Sequence, residues 1–554
     1  MSDLLRQKRF RSWSSSRGTC AIFLGFALLL TVPAANTVEC DCLAEDLVRA
    51  YREIPSLRHN YRTDDLHKGI SAVLGPELAS RLSAAQKSNP GCLYNLRQGA
   101  RFQSASQKPR RLAIVSGLSV SGLMAVAVLA GSGYEVIGYE KRDSYTRNIQ
   151  WVGRQAVLDE LASIDTELAE YVRHEVVGPV SNGAVKIVDE PYARTVSQRG
   201  PPTDGDPRRL PRSATEMFEV RGQSNFVVET QVFEETMRRF AEGLGNVVLN
   251  YGTTAEVHCD RLHRGVCGVG QHQDPDLIVV AEGANSSTRT RLGIRTYQSG
   301  PPRPQVAGEI NIDLGGKMGL HRRSESLASS HKYYLTGFIA RGGSGKTWIV
   351  GDLSEAFLNK HCKWDESSAN VECPEELVTD QLREIASQSM EIPIDEVRGA
   401  PIAGPVTGSM PAQFVLLQQI SETAFHGTNL VFLGDAVGTG HWIAGGGMQV
   451  ASVSHIERLK QLLLSIDLDE PREEALRMYS RGVIEDTFAW QLESIDDFYP
   501  HLPPAEVQDC FRTAIAQWTA GRGSSPYEYL EELLESIRIG ATPTMCTASF
   551  ASDL

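Results

Sequence analysis

The sequence feature that most constrains the fold is the stretch LAIVSGLSVSGLMA at residues 112–125. An apolar run typical of a buried strand leads into a glycine turn. The segment SGLMAVAVLAGSG then has helical spacing with glycine at its end, and YEVIGYE follows as a second apolar run. This order predicts a strand, a helix and a second strand, with the two strands parallel and joined by a right-handed crossover. The sequence therefore predicts an α/β fold.

The turn between the first strand and the helix nearly matches the dinucleotide-binding pattern G-x-G-x-x-G. Gly117 and Gly122 occupy the first and third positions, and Ser119 stands at the second. Backbone amides of such a turn and of the helix N-terminus can bind a pyrophosphate. Glu140 ends the second strand 23 residues after Gly117, close to the spacing of about 20 at which a carboxylate binds a ribose. These features favour a nucleotide site over a purely structural turn.

A chain of 554 residues is expected to contain several structural units. Residues 301–425 contain alternating strand-like runs, including KYYLTGFIA, TWIVGDL and AQFVLLQQI, which predict a mostly antiparallel sheet. We expect residues 111–300 and 426–466 to form a Rossmann-like domain, and residues 301–425, with part of 180–230, to form a second domain. Helices are predicted for residues 467–554.

The N-terminal region resembles a targeting segment. Residues 1–19 are rich in Arg and Lys, and the apolar run CAIFLGFALLLTVPAA follows. This order is typical of a secretory signal peptide, and the run of 16 residues is short for a membrane span of about 20. Residues 1–35 are thus predicted to be a signal peptide or an uncleaved signal anchor, which could associate with a membrane. A mispredicted start codon would instead leave a cytoplasmic protein. Residues 36–110 are predicted to be a helical extension and linker.

Charge and cysteine content restrict the partners of the chain. A net charge of −13 argues against nucleic acid as the main partner, because phosphate binding needs a basic face. Cys259 and Cys267 bracket a possible hairpin, as do Cys362 and Cys373, and bridges between these neighbours stay open. No paired CxxC motif is present, so no structural zinc site is predicted.

The segment ARGGSGKT at residues 340–347 resembles a phosphate-binding P-loop but lacks the expected surroundings. A P-loop is followed by a helix whose N-terminus faces the phosphates. Here WIVGDL follows and YYLTGFIA precedes, and both are strand-like. We therefore predict a glycine-rich hairpin turn.

Two later motifs complete a pattern with the first. DLIVVAEGANSSTRTRLGI spans residues 276–294, and LVFLGDAVGTGHWIAGGGMQVA spans residues 430–451. In order and spacing, the three motifs resemble those of the group A flavin monooxygenases, which have the para-hydroxybenzoate hydroxylase-like fold. The resemblance covers roughly residues 111–465. It implies a Rossmann-like FAD-binding domain interleaved with a mostly antiparallel substrate domain, plus C-terminal helices.

The resemblance assigns cofactor-binding roles to residues of all three motifs. Gly117, Ser119 and Gly122 would face the FAD pyrophosphate, and Glu140 the adenosine ribose. In the central motif the family's Asp-Gly is Glu282-Gly283, followed by the expected Ala284, Asn285, Ser286 and Arg289. That motif handles both flavin and NAD(P)H in the family. Because Glu282 replaces aspartate, the reductive step is the function most affected.

The third motif implies contacts around the flavin. Asp435 would bind the ribityl or phosphate region, and Gly445, Gly447 and Met448 would lie beside the isoalloxazine ring. Trp442 replaces the usual proline, and the segment YEKRDSYTRNI at 139–149 is similar to that of MICAL-type flavin monooxygenases. This partial likeness makes Arg142 and Arg147 candidate FAD contacts. His441 and Trp442 are candidates near the ring, and Gln231 is a candidate at the ribityl chain.

The resemblance implies an FAD-dependent monooxygenase that hydroxylates or epoxidises a small organic compound with NAD(P)H and O2, through a flavin C4a-hydroperoxide. An aromatic or polycyclic substrate is expected, and no catalytic base is assigned. The alternatives are a flavin-dependent oxidase or reductase on the same fold and a flavin-binding protein without turnover.

Overall fold

In this computed structural model the described residues are 80, 111–147, 149–179, 186–187, 225–259, 265–298, 302–314, 318–327, 330–340, 345–365, 367–406, 408–440 and 446–498. The predicted signal segment and the extension up to residue 110, apart from residue 80, lie outside them and stay predictions. No helix within these ranges is both long enough and apolar enough to cross a membrane.

The strands follow one another along the chain as β1 (Arg111–Ser116), β2 (Tyr134–Glu140), β3 (Gln150–Arg154), β4 (Gly178–Pro179), β5 (Lys186–Ile187), β6 (Asn225–Glu229), β7 (Val247–Tyr251), β8 (Val257–Cys259), β9 (Cys267–Val269), β10 (Leu277–Val280), β11 (Thr296–Gln298), β12 (Arg303–Ile310), β13 (Met318–Leu327), β14 (Ser330–Ala340), β15 (Thr347–Asp352), β16 (Lys363–Asp365), β17 (Asn370–Glu372), β18 (Ile402–Ala403), β19 (Ala412–Leu416), β20 (Gln419–Ser421), β21 (Phe425–His426), β22 (Leu430–Phe432) and β23 (Gly438–Thr439).

The helices are α1 (Val120–Gly131), α2 (Gln155–Ile164), α3 (Thr166–Tyr171), α4 (Thr230–Glu242), α5 (Ser287–Arg291), α6 (Glu355–His361), α7 (Glu375–Met390), α8 (Ile394–Gly399), α9 (Gly446–Gln449), α10 (His455–Asp467) and α11 (Arg472–Phe498). A π-helical segment, Val172–Val176, follows α3. A second, Val450–Ser454, joins α9 to α10.

The first sheet has the strand order β21-β22-β10-β1-β2-β7 among the described residues, and all its pairs except β21–β22 are parallel. The apolar runs of β1, β10 and β22 form its buried centre, as is usual for parallel strands covered on both faces. Helix α1 is apolar on every side because it packs on this sheet and also against α4 and α10. The predicted strand–helix–strand unit is confirmed.

The second large sheet is mostly antiparallel, with the order β18-β12-β15-β14-β13-β5 and with β19 also paired to β12. Helix α7 packs on it, with Leu382 and Ile385 in a core that includes Val306 and Ile349. Strands β14 and β15 pair antiparallel, with Ala340 opposite Thr347. The P-loop-like segment therefore joins adjacent hairpin strands, as predicted.

The run AQFVLLQQI, predicted as one strand of this sheet, is divided. Its first part, β19, pairs with β12 of the antiparallel sheet, whereas β20 pairs with β11 and β23 in a separate small sheet. The break lets the chain return from the antiparallel sheet toward the parallel one. The mixed fold class predicted from the sequence is confirmed.

Both neighbouring cysteine pairs form disulfides. Cys259 and Cys267 join the antiparallel strands β8 and β9. Cys362 and Cys373 join the segments on either side of the β16–β17 pair.

A buried ion pair ties α2 to α10. Lys460 contacts the Glu160 carboxylate, and both side chains are almost fully buried. Nζ of Lys460 also lies 2.9 Å from Ser163 Oγ and 3.1 Å from Glu457 Oε1. Burial raises the pKa of Glu160, and the Lys460 charge opposes that effect.

The substitution Lys460→Met is expected to lower the free energy of unfolding by about 3 kcal/mol, because it leaves Glu160 buried without a counter-charge. The control is Arg477→Met, which removes an exposed pair with Glu473 and should cost less than about 1 kcal/mol. Urea unfolding of both variants checks this. Equal effects of the two substitutions would contradict it.

Candidate active site

The glycine turn after β1 is shaped by two close backbone contacts. Gly117 has φ +92°, and a Cβ placed on it would lie 2.3 Å from the carbonyl oxygen of Ala281, just past β10. A Cβ on Gly122 would lie 1.9 Å from the carbonyl oxygen of Gly117. Glycine is needed at the first site for conformation and contact, and at the second for contact alone.

Ser119, which replaces the middle glycine, directs its side chain away from its own helix. It is the N-cap residue of α1 but makes no side-chain capping bond. Its hydroxyl instead donates to Glu234 Oε1 at 2.6 Å. The first amides of α1 therefore keep no side-chain cap, which leaves the helix N-terminus suited to an anion.

Glu234 is a site residue that sequence reasoning missed. It lies on α4, is fully buried, and has no partner for Oε2 within the described structure. Burial raises its pKa, while the Ser119 hydroxyl, Arg142 and Arg147 act in the opposite direction. Gln231 lies three residues earlier, half-buried on α4, and residues at this spacing share a helix face. That spacing was the signal in the sequence that could have identified Glu234.

Glu140 is bound by chain donors at the end of β2. Its Oε2 accepts from the Leu118 amide at 2.9 Å, and its Oε1 from Arg142 Nε at 2.8 Å. Burial disfavours the carboxylate, but the Arg142 guanidinium and the Leu118 amide outweigh burial and lower the pKa of Glu140. Glu140 thus connects the glycine turn to the Arg142 side chain. A ribose hydroxyl would have to share or replace one of these donors.

Arg142 joins Glu140 to the Ser119–Glu234 pair. Its Nη2 lies 3.8 Å from Glu234 Oε1, and its Nη1 is buried without a hydrogen-bond partner within the described structure. A buried guanidinium nitrogen without a hydrogen-bond partner is uncommon and points to a missing acceptor at that atom. Arg147 is exposed, five residues further on, and bridges to the backbone of Val406.

In the central motif, Glu282 accepts hydrogen bonds from several donors of the chain. Ser116 Oγ and Thr288 Oγ1 donate to Oε1 at 2.7 and 2.6 Å, and Ser286 Oγ and the Thr288 amide donate to Oε2 at 2.8 and 3.0 Å. Burial opposes ionisation, but these bonds outweigh it and lower the pKa of Glu282. Its carboxylate therefore joins the end of β1 to the start of α5.

Arg289 connects the central motif to the third motif. Its Nη1 donates to the carbonyl oxygen of Ala436 at 2.9 Å, and its Nη2 to that of Ala284 at 2.6 Å. Ser286 caps α5 by accepting from the Arg289 amide. Gly283 has φ +81° and open space beside it. The arginine of the central motif thus holds the loop of the third motif.

The third motif begins with β22, and the turn after this strand contacts the helix of the first motif. Gly434 has φ +62°, and a Cβ on it would lie 2.9 Å from Ser121 Oγ in the first turn of α1. Asp435 is accessible to solvent, yet the surrounding protein raises the pKa of its carboxyl, and the charge of Arg147 opposes this effect.

His455 accepts a hydrogen bond from this loop and is a second site residue that sequence reasoning missed. The Gly434 amide donates to Nδ1 at 2.9 Å, and Nε2 lies 3.0 Å from Thr487 Oγ1. Thr487 itself donates to the carbonyl oxygen of Val483. This order of donors requires a neutral ring protonated on Nε2. Burial lowers the pKa of His455 to about 3.

The C-terminal helix α11 contacts described residues on both sides of the segment that carries the predicted ring contacts. The Trp490 ring lies against Gly440 and Gly447, where an added Cβ would come within 2.9 and 3.2 Å of it. Gln491 Nε2 donates to the carbonyl oxygens of Gln419 and Thr439 at 2.9 and 2.7 Å. Met448 is half-buried against the main core. His441, Trp442 and Gly445 lie outside the described residues.

The geometry brings the three motifs to one edge of the parallel sheet. Because β1, β2, β10 and β22 are parallel neighbours, their carboxyl ends lie together there, where ligands of such sheets bind. The residues at these ends are Gly117, Glu140, Glu282 and Asp435.

Comparisons with known proteins give structural likeness only. No protein-family model matches the sequence, and a search of curated proteins finds no match. Among solved structures, the chain is similar to the p-nitrophenol 4-monooxygenase PnpA from Pseudomonas putida DLL-E4, with 12% identity over 79% of this chain and 95% of that one and a TM-score of 0.48.

It is also similar to PqsL from P. aeruginosa in complex with 2-aminobenzoylacetate, with 16% identity over 74% of this chain and 99% of that one and a TM-score of 0.48. A third similar structure is CmlS, a flavin-dependent halogenase, with 11% identity over 76% of this chain and 67% of that one and a TM-score of 0.48. At these identities and TM-scores the likeness assigns neither cofactor nor substrate, which must be inferred from the residues of this chain.

The neutral state of His455 predicts a pH dependence of stability. Its pKa in the folded chain, about 3, lies below the ordinary value of about 6.5. The stability that it contributes is therefore complete above pH 6.5 and is lost as the pH falls toward 3, by up to about 1.4 kcal/mol per pH unit. His455→Gln, which cannot titrate, should show a shallower loss of stability than the wild type in urea unfolding at pH 7, 5.5 and 4.5. Parallel curves would contradict the buried neutral ring.

Proposed function

We propose that this chain is an FAD-dependent monooxygenase that uses NAD(P)H and O2 to hydroxylate or epoxidise a small aromatic or polycyclic compound. The observation that carries the proposal is the convergence of three motifs at the carboxyl edge of the parallel sheet. The motifs resemble those of the group A flavin monooxygenases in order and spacing, and the fold joins them through Glu282, Arg289 and Gly434.

The residues at this edge fit the chemical groups of FAD. The first amides of α1 have no side-chain cap, and Arg142 Nη1 lacks an acceptor, so both can donate to a pyrophosphate. Arg147 adds an exposed positive charge, and Asp435 offers an accessible carboxylate to sugar or ribityl hydroxyls. Gly117 permits the tight turn that leads into these amides. Gln231, Gly447 and Met448 remain candidates for the ribityl chain and the ring.

FAD, when bound, accepts two electrons from NAD(P)H and activates O2 for insertion of one oxygen atom into a substrate. The contribution of the chain is to bind and orient the cofactor and to exclude water from the reacting centre. The segment that connects Gly440 to Gly447 is our candidate for this positioning role, because Trp490 lies against both of these glycines. His441 and Trp442 within it remain candidates for contacts with the ring.

A flavin-dependent oxidase or reductase on the same fold is the second candidate. The replacement of aspartate by Glu282 favours it, since the Glu282 carboxylate is already bound by Ser116, Ser286 and Thr288. A carboxylate engaged in this way has little capacity left for a nicotinamide cofactor. A flavin-binding protein without turnover is the remaining alternative.

The test is to purify the full chain, reconstitute it with FAD and measure its absorption spectrum and flavin stoichiometry. Anaerobic addition of NADH or NADPH, with and without aromatic test compounds, then separates the candidates. Flavin reduction by nicotinamide followed by an oxygenated product supports the monooxygenase. If FAD binds but NADH and NADPH do not reduce it, the chain is an oxidase or a flavin-binding protein without turnover. If the chain binds no FAD, all three candidate functions are overturned.

Gly117→Ala is expected to abolish FAD binding, because its Cβ would clash with Ala281 and its φ of +92° is unfavourable for alanine. Gly131→Ala is the matched control, since no atom lies within 4 Å of a Cβ there.

Asp435→Ala should weaken FAD binding at least about tenfold with little change in the free energy of unfolding, because Asp435 is accessible. Titration of FAD into each folded variant checks this. Unchanged affinity in Asp435→Ala would remove that residue from the site.

A further inference from the structure

The β8–β9 hairpin carries a second group of reactive side chains, separate from the nucleotide edge. Cys259 and Cys267 lie directly opposite each other on the two strands. His426, on β21 at the edge of the parallel sheet, places a ring nitrogen within 4.8 Å of both sulfur atoms. The three side chains are partly or fully buried. Two sulfurs and one imidazole nitrogen are a donor set that suits zinc.

Cys267 and His426 are held near each other by contacts other than the disulfide. Asn429 Oδ1 accepts from the Cys267 amide at 2.8 Å, and its Nδ2 donates to the carbonyl oxygens of Cys267 and Pro275 at 2.9 and 2.8 Å. Asn429 is buried and lies three residues after His426. The close approach of Gly427 to the carbonyl oxygen of Gly265 fixes the same junction. The donors would therefore stay together after reduction of the disulfide.

We propose that reduction of the Cys259–Cys267 disulfide creates a site for one Zn²⁺ ion, bound by both thiolates and His426. Reduction adds two electrons and two protons to the S–S bond, and a phosphine or dithiol reductant is oxidised in return. The freed sulfurs move apart to about 3.7 Å, the separation that two thiolates have in tetrahedral zinc with Zn–S bonds of about 2.3 Å. The ion displaces the two thiol protons, and water fills the fourth position.

The hairpin thus has two alternative states, a disulfide under oxidising conditions and a metal site under reducing conditions. The other described disulfide, Cys362–Cys373, provides a contrast. Within the part of the chain that the structure describes, Cys259, Cys267 and His426 form the group of such side chains whose ligand atoms lie close enough together to hold a metal ion. The ligands come from a hairpin and a distant turn, so a search for paired CxxC motifs does not find them.

The experiment uses the full chain, reduced with a phosphine under anaerobic conditions, and titrates it with Zn²⁺ against a chromophoric chelator. Cobalt(II) in place of zinc reports thiolate ligation by its absorption. We expect Cys267→Ser to bind one equivalent less than the reduced wild type. His426→Gln, which leaves the disulfide pair intact, should weaken binding at this site at least tenfold. The oxidised wild type should lack this equivalent.

Cys373→Ser is the matched control, because it breaks the other disulfide and should retain the equivalent at the hairpin. The comparison between variants also separates this site from the remaining cysteines of the chain. Circular dichroism confirms that each variant is folded. The proposal is overturned if His426→Gln and the wild type bind zinc equally, or if oxidation leaves binding unchanged. Neither result affects the proposed flavin function, whose residues lie on other elements.

Discussion

The contact between Gly117 and the carbonyl oxygen of Ala281 is the constraint on which the candidate site depends. It lets the turn after β1 lie directly against the end of β10, so that the first two motifs share one surface. No side chain larger than hydrogen fits at Gly117, and its φ of +92° also disfavours other residues. Gly434, in the loop of the third motif, also combines a positive φ with a close contact, in its case with the first turn of α1.

The carboxylates of the site divide into two kinds. Glu140 and Glu282 accept several hydrogen bonds from the chain, which lower their pKa values and make them parts of the scaffold. Asp435 is accessible, and Glu234 is buried with one oxygen unpaired; for both, the surrounding protein raises the pKa. The carboxylates of Glu140 and Glu282 thus hold the backbone in place. Those of Asp435 and Glu234 keep acceptor atoms that a ligand can use.

Helix α11 has a larger part in the site than its position late in the chain indicates. Thr487 contacts His455, Trp490 lies against Gly440 and Gly447 of the third motif, and Gln491 donates to Thr439. These residues stand well beyond the last motif, and no local pattern around them indicates a site. Their role follows from packing, because a helix can hold a distant loop only after the chain has folded.

The sequence by itself determined the order of elements, since strand and helix periodicity and the glycine of a tight turn are local properties. It also identified the three motifs and the hairpin turn at residues 340–347, all from short segments. Only the tertiary structure decided that Ser119 binds Glu234, that Glu282 and Arg289 are internal braces, and that AQFVLLQQI divides between two sheets. Each of these depends on which distant donor, acceptor or strand comes within hydrogen-bonding distance, and that distance is a property of the packed fold rather than of any segment.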